Sequence, residues 1–287
     1  MPGCPGAVSE EVVVVDVDTI RALVVARDRA DLAALTGDSA VLAGGTWLFS
    51  EPQDHLERLV DITALGWPAL TVTPAGVEIA ATCTLAELEH AAWPARWSAA
   101  ALFPQACRAL VASYKIRRMA TVGGNACLAL PAGAVLAALV ALDGLASVWC
   151  ADGAERRIPM SRFVFGPGAT ALRPGEVLRS VFLESSKLRS RIAFRKIALA
   201  PLGRSGAVVM GRADLDGRCA ITLSAATVRP IVLEFAGFPV VRELTATILG
   251  MDRDLWYDDP HGDPAWRRQM AVVLAREVVA ELTEGRP

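Results

Sequence analysis

Histidine is scarce in this chain and cysteine is scattered, and each shortage removes a class of chemistry. Of 287 residues only three are histidine, His55, His90 and His261, each isolated, so a histidine-based catalytic or metal centre has little support. The six cysteines, Cys4, Cys83, Cys107, Cys127, Cys150 and Cys219, stand far apart with no Cys-x-x-Cys pair. Iron–sulfur and zinc sites need clustered thiolates, so the chain is expected to bind neither and to keep its thiols reduced and mostly buried. Lys and Arg never run beyond two in a row, the net charge is −2 and the pI is near 6.0, which leaves no basic face for nucleic acid. No apolar run approaches the roughly 18 residues of a membrane span; the longest, Ala132 to Leu142, fits a buried helix. The start, MPGCPGAVSEE, carries Glu10 and Glu11 where the apolar part of a secretory signal would begin, so a cytoplasmic location is expected. Neither Gly-x-Gly-x-x-Gly nor a Gly-Lys-Ser/Thr loop occurs, and there is no internal repeat.

What is present is a globular composition, 53% hydrophobic and 21% charged, in a chain long enough for two domains. Residues 19–36 alternate apolar and charged positions at near-helical spacing and predict one or two short helices, with Asp28 or Asp31 as a cap. SAVLAGGTWLF reads as a buried strand ending in a Gly-Gly turn; 58–62 and 70–80 give further strands, the latter a hairpin turning at Pro74, Ala75 and Gly76. Thr84 caps a helix with Glu87 in the capping-box position. A helix from Phe103 to Tyr114, with both aromatics on its core face, leads into a second Gly-Gly loop, TVGGN at 121–125, and then into the apolar helix. Strands follow at 146–150, 157–159 and 177–183, and three antiparallel strands at 192–198, 206–213 and 218–228, the last two turning at Asp216 and Gly217. Helices at 241–249 and 264–282 close the chain. The polar, aperiodic SSKLRS places a domain boundary near residue 185, giving domains 1–184 and 185–287.

The two Gly-Gly loops carry the chemistry. Glycine admits positive φ and puts no side chain between backbone and ligand, so successive amides can turn on one phosphate oxygen. A single Gly-Gly after a strand is usually a tight turn. Two such loops, followed by Thr46 and Asn125, make a better candidate for a shared pyrophosphate.

At these residues a family resemblance emerges. LAGGTWL at 42–48 and ATVGGNACLALPAGAVLAALVALD at 120–143 resemble the two pyrophosphate loops of the FAD-binding medium subunits in the xanthine dehydrogenase and carbon monoxide dehydrogenase (molybdenum hydroxylase) family. LVDIT at 59–63, EIAATCTLAELE at 78–89, KIRRMATVGGN at 115–125, LRPGEVLRSV at 172–181, FRKI at 194–197 and DDPHGDPAWRRQMAVVL at 258–274 fall in family order, so the resemblance covers nearly the whole chain. It implies an α+β fold: a vanillyl-alcohol-oxidase-type (PCMH) FAD-binding domain of two subdomains, then a CO dehydrogenase flavoprotein C-terminal-type domain of a three-stranded antiparallel sheet with a helical bundle. It also implies an FAD-carrying electron-transfer subunit that takes electrons from a small [2Fe-2S] subunit, beside a large molybdopterin subunit, in a dimer of heterotrimers, and passes them to NAD, oxygen or a quinone.

Carried over by position, Val41, Leu42, Ala43, Gly44, Gly45, Thr46, Trp47 and Leu48, with Thr121, Val122, Gly123, Gly124 and Asn125, would hold the pyrophosphate and adenosine ribose. Arg179 and Lys196 fall where the family approaches the isoalloxazine ring, and a lysine there could offset negative charge on the reduced flavin. The chain departs from the family at Trp47, where Asp or Ser is usual, at Leu130, where Ser is common, and at Ala134, where an Asp commonly bonds the cofactor. Each lost side-chain hydrogen bond costs about 1 kcal/mol, whereas a backbone cradle survives, so FAD is still expected. Trp47 reads equally as a ring stacked on the cofactor or as packing. Cys127 has no base or second thiol near it in sequence, Arg117 and Arg118 read as a solvated or structural pair, and His261 as a turn residue. Two rival readings stand beside the leading one: a stand-alone flavin oxidoreductase, which would need an acid or base near the ring, and a cofactor-poor assembly scaffold, suggested by Leu130 and Ala134.

Overall fold

A computed structural model describes residues 17–284; Cys4, Glu10 and Glu11 lie outside the described residues. The chain begins with three short strands, β1 (Ala22–Val25), β2 (Ser39–Leu42) and β3 (Arg58–Asp61), in a parallel sheet of order β1-β3-β2. The stretch 19–36, expected to be helical, therefore holds strand β1 and only one turn of 3-10 helix, Ala30–Ala34. A short apolar run in a parallel sheet has no periodicity that separates it from a helix; pairing with β3 decides it, and Val24 and Ala26 pack inward while Leu23 and Val25 face out.

The hairpin β4 (Leu70–Thr73) and β5 (Gly76–Ala80) turns where expected. Thr84 caps α1 (Leu85–His90) with both arms of the capping box: its hydroxyl accepts from Glu87 N, and its own amide donates to the Glu87 carboxylate at 2.8 Å. The next helix, α2 (Leu102–Ala109), stops short of Tyr114 because Val111 takes a positive φ of 54°, strained for a β-branched residue. Ser113 then caps a separate turn, α3 (Tyr114–Arg117). As a result Phe103 is buried as expected but Tyr114 is 63% exposed, not core. Arg117 is structural, pairing with Glu89 of α1 at 3.2 Å.

TVGGN is not a loop: its residues open α4 (Val122–Leu128), with Thr121 as N-cap. Behind it α5 (Ala134–Ala141) is buried on every side, as a helix apolar all round must be. Strands β6 (Leu145–Trp149), β7 (Glu155–Pro159) and β10 (Val177–Glu184) complete a second, antiparallel sheet of order β4-β5-β10-β6-β7, with a small hairpin of β8 (Val164–Gly166) and β9 (Ala169–Thr170) between. SSKLRS, expected as a polar connection, contains the short helix α6 (Ser185–Leu188), and its Leu188 is fully buried.

The remainder forms a four-stranded meander, β11 (Arg191–Ile197), β12 (Ala207–Ala213), β13 (Cys219–Ser224) and β14 (Ile231–Phe235). The expected sheet had three strands; β14, half-buried at the edge, is tied only to β13 and carries no strong alternation. Period-2 geometry gives β12 two jobs. Val208 and Met210 join the core around α5, while Ala207, Val209 and Ala213 face α8 (Pro264–Glu284), with α7 (Val241–Leu249) alongside. Gly211 permits that packing, because a Cβ there would run into Val278 and Leu282 of α8. Arg212, 3% exposed, reaches across to the Ala141 carbonyl and pairs with Asp143 and Asp214, both at 2.8 Å, so the meander is bolted to the end of α5. Among the described residues no helix is long and apolar enough to cross a membrane.

Candidate cofactor-binding cleft

The first Gly-Gly segment leaves β2 and turns sharply. Gly45 sits at φ +66°, and a Cβ on Gly44 would overlap the carbonyl oxygen of Met119, so this turn lies directly against the chain that enters α4. Its carbonyls are engaged: Gly45 O accepts from Phe49 N at 3.0 Å, and Trp47 O from Ser50 N at 2.8 Å. Its amides are not. From Ala43 through Leu48, no backbone N–H donates to a protein acceptor among the described residues. A run of uncommitted amides on a glycine turn is what an anion binds.

The second segment is built the opposite way. Val122 N donates to Cys83 O and Gly123 N to Ala81 O, each at 2.8 Å; Gly124 N donates to Thr121 Oγ1 and Asn125 N to Thr121 O, each at 3.0 Å. The expectation that both loops offer free amides to one phosphate is thus corrected. Four amides in a helical first turn have been satisfied by the cap and by the edge of the chain leaving β5. Asn125 is partly committed as well: its Oδ1 accepts from Leu136 N at 2.9 Å, serving the start of α5.

Between the two segments lies a cleft of about 530 Å³, within the range of small-molecule sites. Of the residues expected at the cofactor, Val41, Ala43, Gly44, Gly45, Thr46, Trp47, Leu48, Thr121, Gly124 and Asn125 line it. Leu42, Val122 and Gly123 do not: Leu42 lies beneath Gly45, Val122 is fully buried, and Gly123 reaches only an apolar side pocket of about 130 Å³. Arg179 and Lys196 are also outside the wall. The Arg179 guanidinium lies 4.4 Å from the Trp67 ring and 5.8 Å from Trp149, and burial lowers its pKa. Lys196 donates its Nζ to the Ala109 carbonyl at 3.3 Å, one residue from the cleft-lining Leu110, and burial lowers its pKa too.

Leu85, Leu110, Ala112, Ile116, Ala120 and Leu128 complete much of the wall and were not marked by sequence reasoning, since apolar residues on short helices and the turns between them carry no local signal of a ligand. Trp47, 38% exposed, stands at the lip. Cys127 lines the cleft, but burial pushes its thiol up to about 12, so it is not a nucleophile at neutral pH. Leu130 lines the cleft, whereas Ala134 is buried inside α5 and does not, so only the first of those two departures alters the wall. Among the described residues no histidine, carboxylate or lysine lines the cleft, so these walls can bind an occupant and exclude water but offer it no proton-transfer group.

The sequence profile of the family described as FAD binding domain in molybdopterin dehydrogenase matches residues 17–183. The nicotinate dehydrogenase FAD-subunit of Eubacterium barkeri is 29% identical over 166 residues, 55% of this chain and 55% of that protein, so the match spans about half of its length. Among solved structures, reconstituted CO dehydrogenase from Oligotropha carboxidovorans matches with a TM-score of 0.80 at 20% identity, over 93% of this chain and 98% of that one. Quinoline 2-oxidoreductase from Pseudomonas putida 86 matches with a TM-score of 0.75 at 17% identity, over 92% and 97%. At such identities the structural likeness speaks for the fold.

Proposed function

Because this chain belongs to the family of FAD binding domains in molybdopterin dehydrogenases, we propose that it is the FAD-carrying electron-transfer subunit of a heterotrimeric molybdenum hydroxylase. In this reading it works beside a [2Fe-2S] subunit and a molybdopterin subunit, in a cytoplasmic dimer of heterotrimers, and delivers electrons to NAD, oxygen or a quinone. Residues 1–184 would form the vanillyl-alcohol-oxidase-type cofactor domain, and residues 185–287 the C-terminal domain that closes its far end.

The observation that carries the reading is the run of uncommitted amides from Ala43 to Leu48 on the wall of the cleft. Those amides would bind the diphosphate of FAD, each adding a neutral donor without a competing charge. Thr121, Gly124 and the side-chain amide of Asn125 line the same cleft and would pack against the adenosine ribose. Leu85, Leu110, Ile116 and Leu130 supply an apolar wall that keeps water out. Lys196, held at Ala109, would approach the ring from the C-terminal domain. Bound FAD supplies the redox chemistry, exchanging electrons one or two at a time; the chain's part is binding and placement.

The absorption spectrum of the purified protein tests this. One FAD per chain, copurifying with an iron–sulfur and a molybdenum subunit, is the expected result. FAD without those partners would favour a stand-alone flavin oxidoreductase, for which the cleft lacks an acid or base. A colourless chain would leave an assembly scaffold.

A further inference from the structure

Beside the cleft lies a second pocket of about 170 Å³, the end pocket, whose lining shares Leu110, Asn125 and Leu130 with it. Two residues from the connection between β11 and β12, Arg204 and Ser205, complete that pocket. Ser205 is buried, and its hydroxyl donates at 3.4 Å to the Ala109 carbonyl, the same oxygen that takes Lys196 Nζ at 3.3 Å. The C-terminal sheet therefore grips the end of α2 at the rim of the pocket. Arg204 takes no part in this grip. Among the described residues it has no hydrogen bond, ion pair or ring contact, and of all the residues that line the cleft and its end pocket it alone carries a formal charge.

Arg204 is itself exposed, so solvent screens part of its field, yet a lone cation beside an apolar cleft still favours whichever state of the occupant is more negative. FAD has three parts to consider. Adenine is neutral. The diphosphate is equally negative in both redox states and already has the neutral amides of Ala43 to Leu48. The ring changes: uptake of two electrons and one proton adds one negative charge to it. Resting on the FAD reading above, we propose that Arg204 faces the isoalloxazine ring and holds the reduced cofactor more tightly than the oxidised one, so that this residue sets the reduction potential of the subunit. Lys196 is positioned by Ala109, and Arg204 by no partner among the described residues, which leaves the arginine free to follow the charge.

The test is a reductive titration of the purified FAD-loaded protein, with any copurifying subunits, using dithionite and a reference dye. It is accompanied by the affinity for oxidised FAD, measured by fluorescence on dilution. R204Q is expected to lower the ratio of reduced to oxidised affinity about tenfold, which for a two-electron couple is a fall of about 30 mV. R204K should restore most of it, and added salt should shrink the difference between R204Q and wild type. Arg204 has no partner to lose among the described residues, so the melting temperature of R204Q should match wild type. Equal loss of affinity in both redox states would place the arginine at the diphosphate and overturn the proposal, and unchanged potential and affinity would reduce it to a solvated surface charge. A wild-type protein without FAD would overturn the functional reading along with it, whereas a yellow wild type with an unaltered R204Q potential overturns this inference alone.

Discussion

In the first Gly-Gly segment the amides from Ala43 to Leu48 have no protein acceptor among the described residues, whereas in the second those of Val122 to Asn125 all donate within the protein. The same dipeptide serves two ends. Gly44 and Gly45 let a turn press against Met119 and adopt a left-handed conformation, which holds backbone donors out toward the cleft. Gly123 lets a helix start against Ala81, where a Cβ would come within 2.5 Å of the alanine methyl carbon. One pair of glycines exposes backbone; the other buries it. In the proposed function the anion-binding task falls on the first segment, and the second provides a rigid wall.

That contrast can be broken by substitution, and the largest effect is expected at Gly44. A methyl there must displace either the turn or Met119, so G44A should lose FAD altogether in the purified protein, read as the ratio of visible to protein absorbance. If G44A keeps stoichiometric FAD, the close approach of the two segments is not what forms the site. G123A should fail differently: overpacking against Ala81 is expected to cost about 1–3 kcal/mol in denaturant unfolding, while the folded fraction still binds FAD with little change in affinity. A large affinity loss at unchanged stability would reverse the roles assigned to the two segments. Smaller again, G45A places a side chain at φ +66° against the Phe49 ring; the strain, about 1 kcal/mol or more, should appear as weaker FAD binding with a modest drop in melting temperature. Smallest, T121V removes the cap that accepts from Gly124 N, and about 1 kcal/mol of stability should go with it. If T121V instead abolishes cofactor binding without destabilising, the threonine is a ligand contact before it is a cap.

Much of the scaffold was legible in the residues. The capping box of Thr84 and Glu87, the hairpin at Pro74 to Gly76 and the turn at Gly217 depend on interactions within a few residues, and the structure holds all three. Where pairing partners are distant the reading failed. Strand β1 was taken for helix because its partner, β3, lies 30 or more residues further along, and β14 was missed because only β13 defines it. The helix expected to run to Tyr114 breaks at Val111, whose positive φ no propensity would assign to valine. At the site, ten of the fifteen residues carried over from the family resemblance line the cleft, because the two segments that bear the resemblance face each other across it. Arg179 does not, since its aromatic partners Trp67 and Trp149 come from other strands and loops.

The order and types of residues alone determined two glycine pairs, an all-apolar helix and a terminal meander, since local sterics and side-chain alternation are written in consecutive residues; the FAD-domain assignment came from the resemblance those segments carry. Tertiary structure decided which glycine pair has amides to offer and left Arg204 as the single charge among the described residues lining the cleft and its end pocket. The reason is physical: whether a donor or a charge is free depends on every acceptor within about 3 Å in space, and those acceptors, Ala81, Cys83 and Ala109 among them, arrive from parts of the chain that sequence order keeps apart.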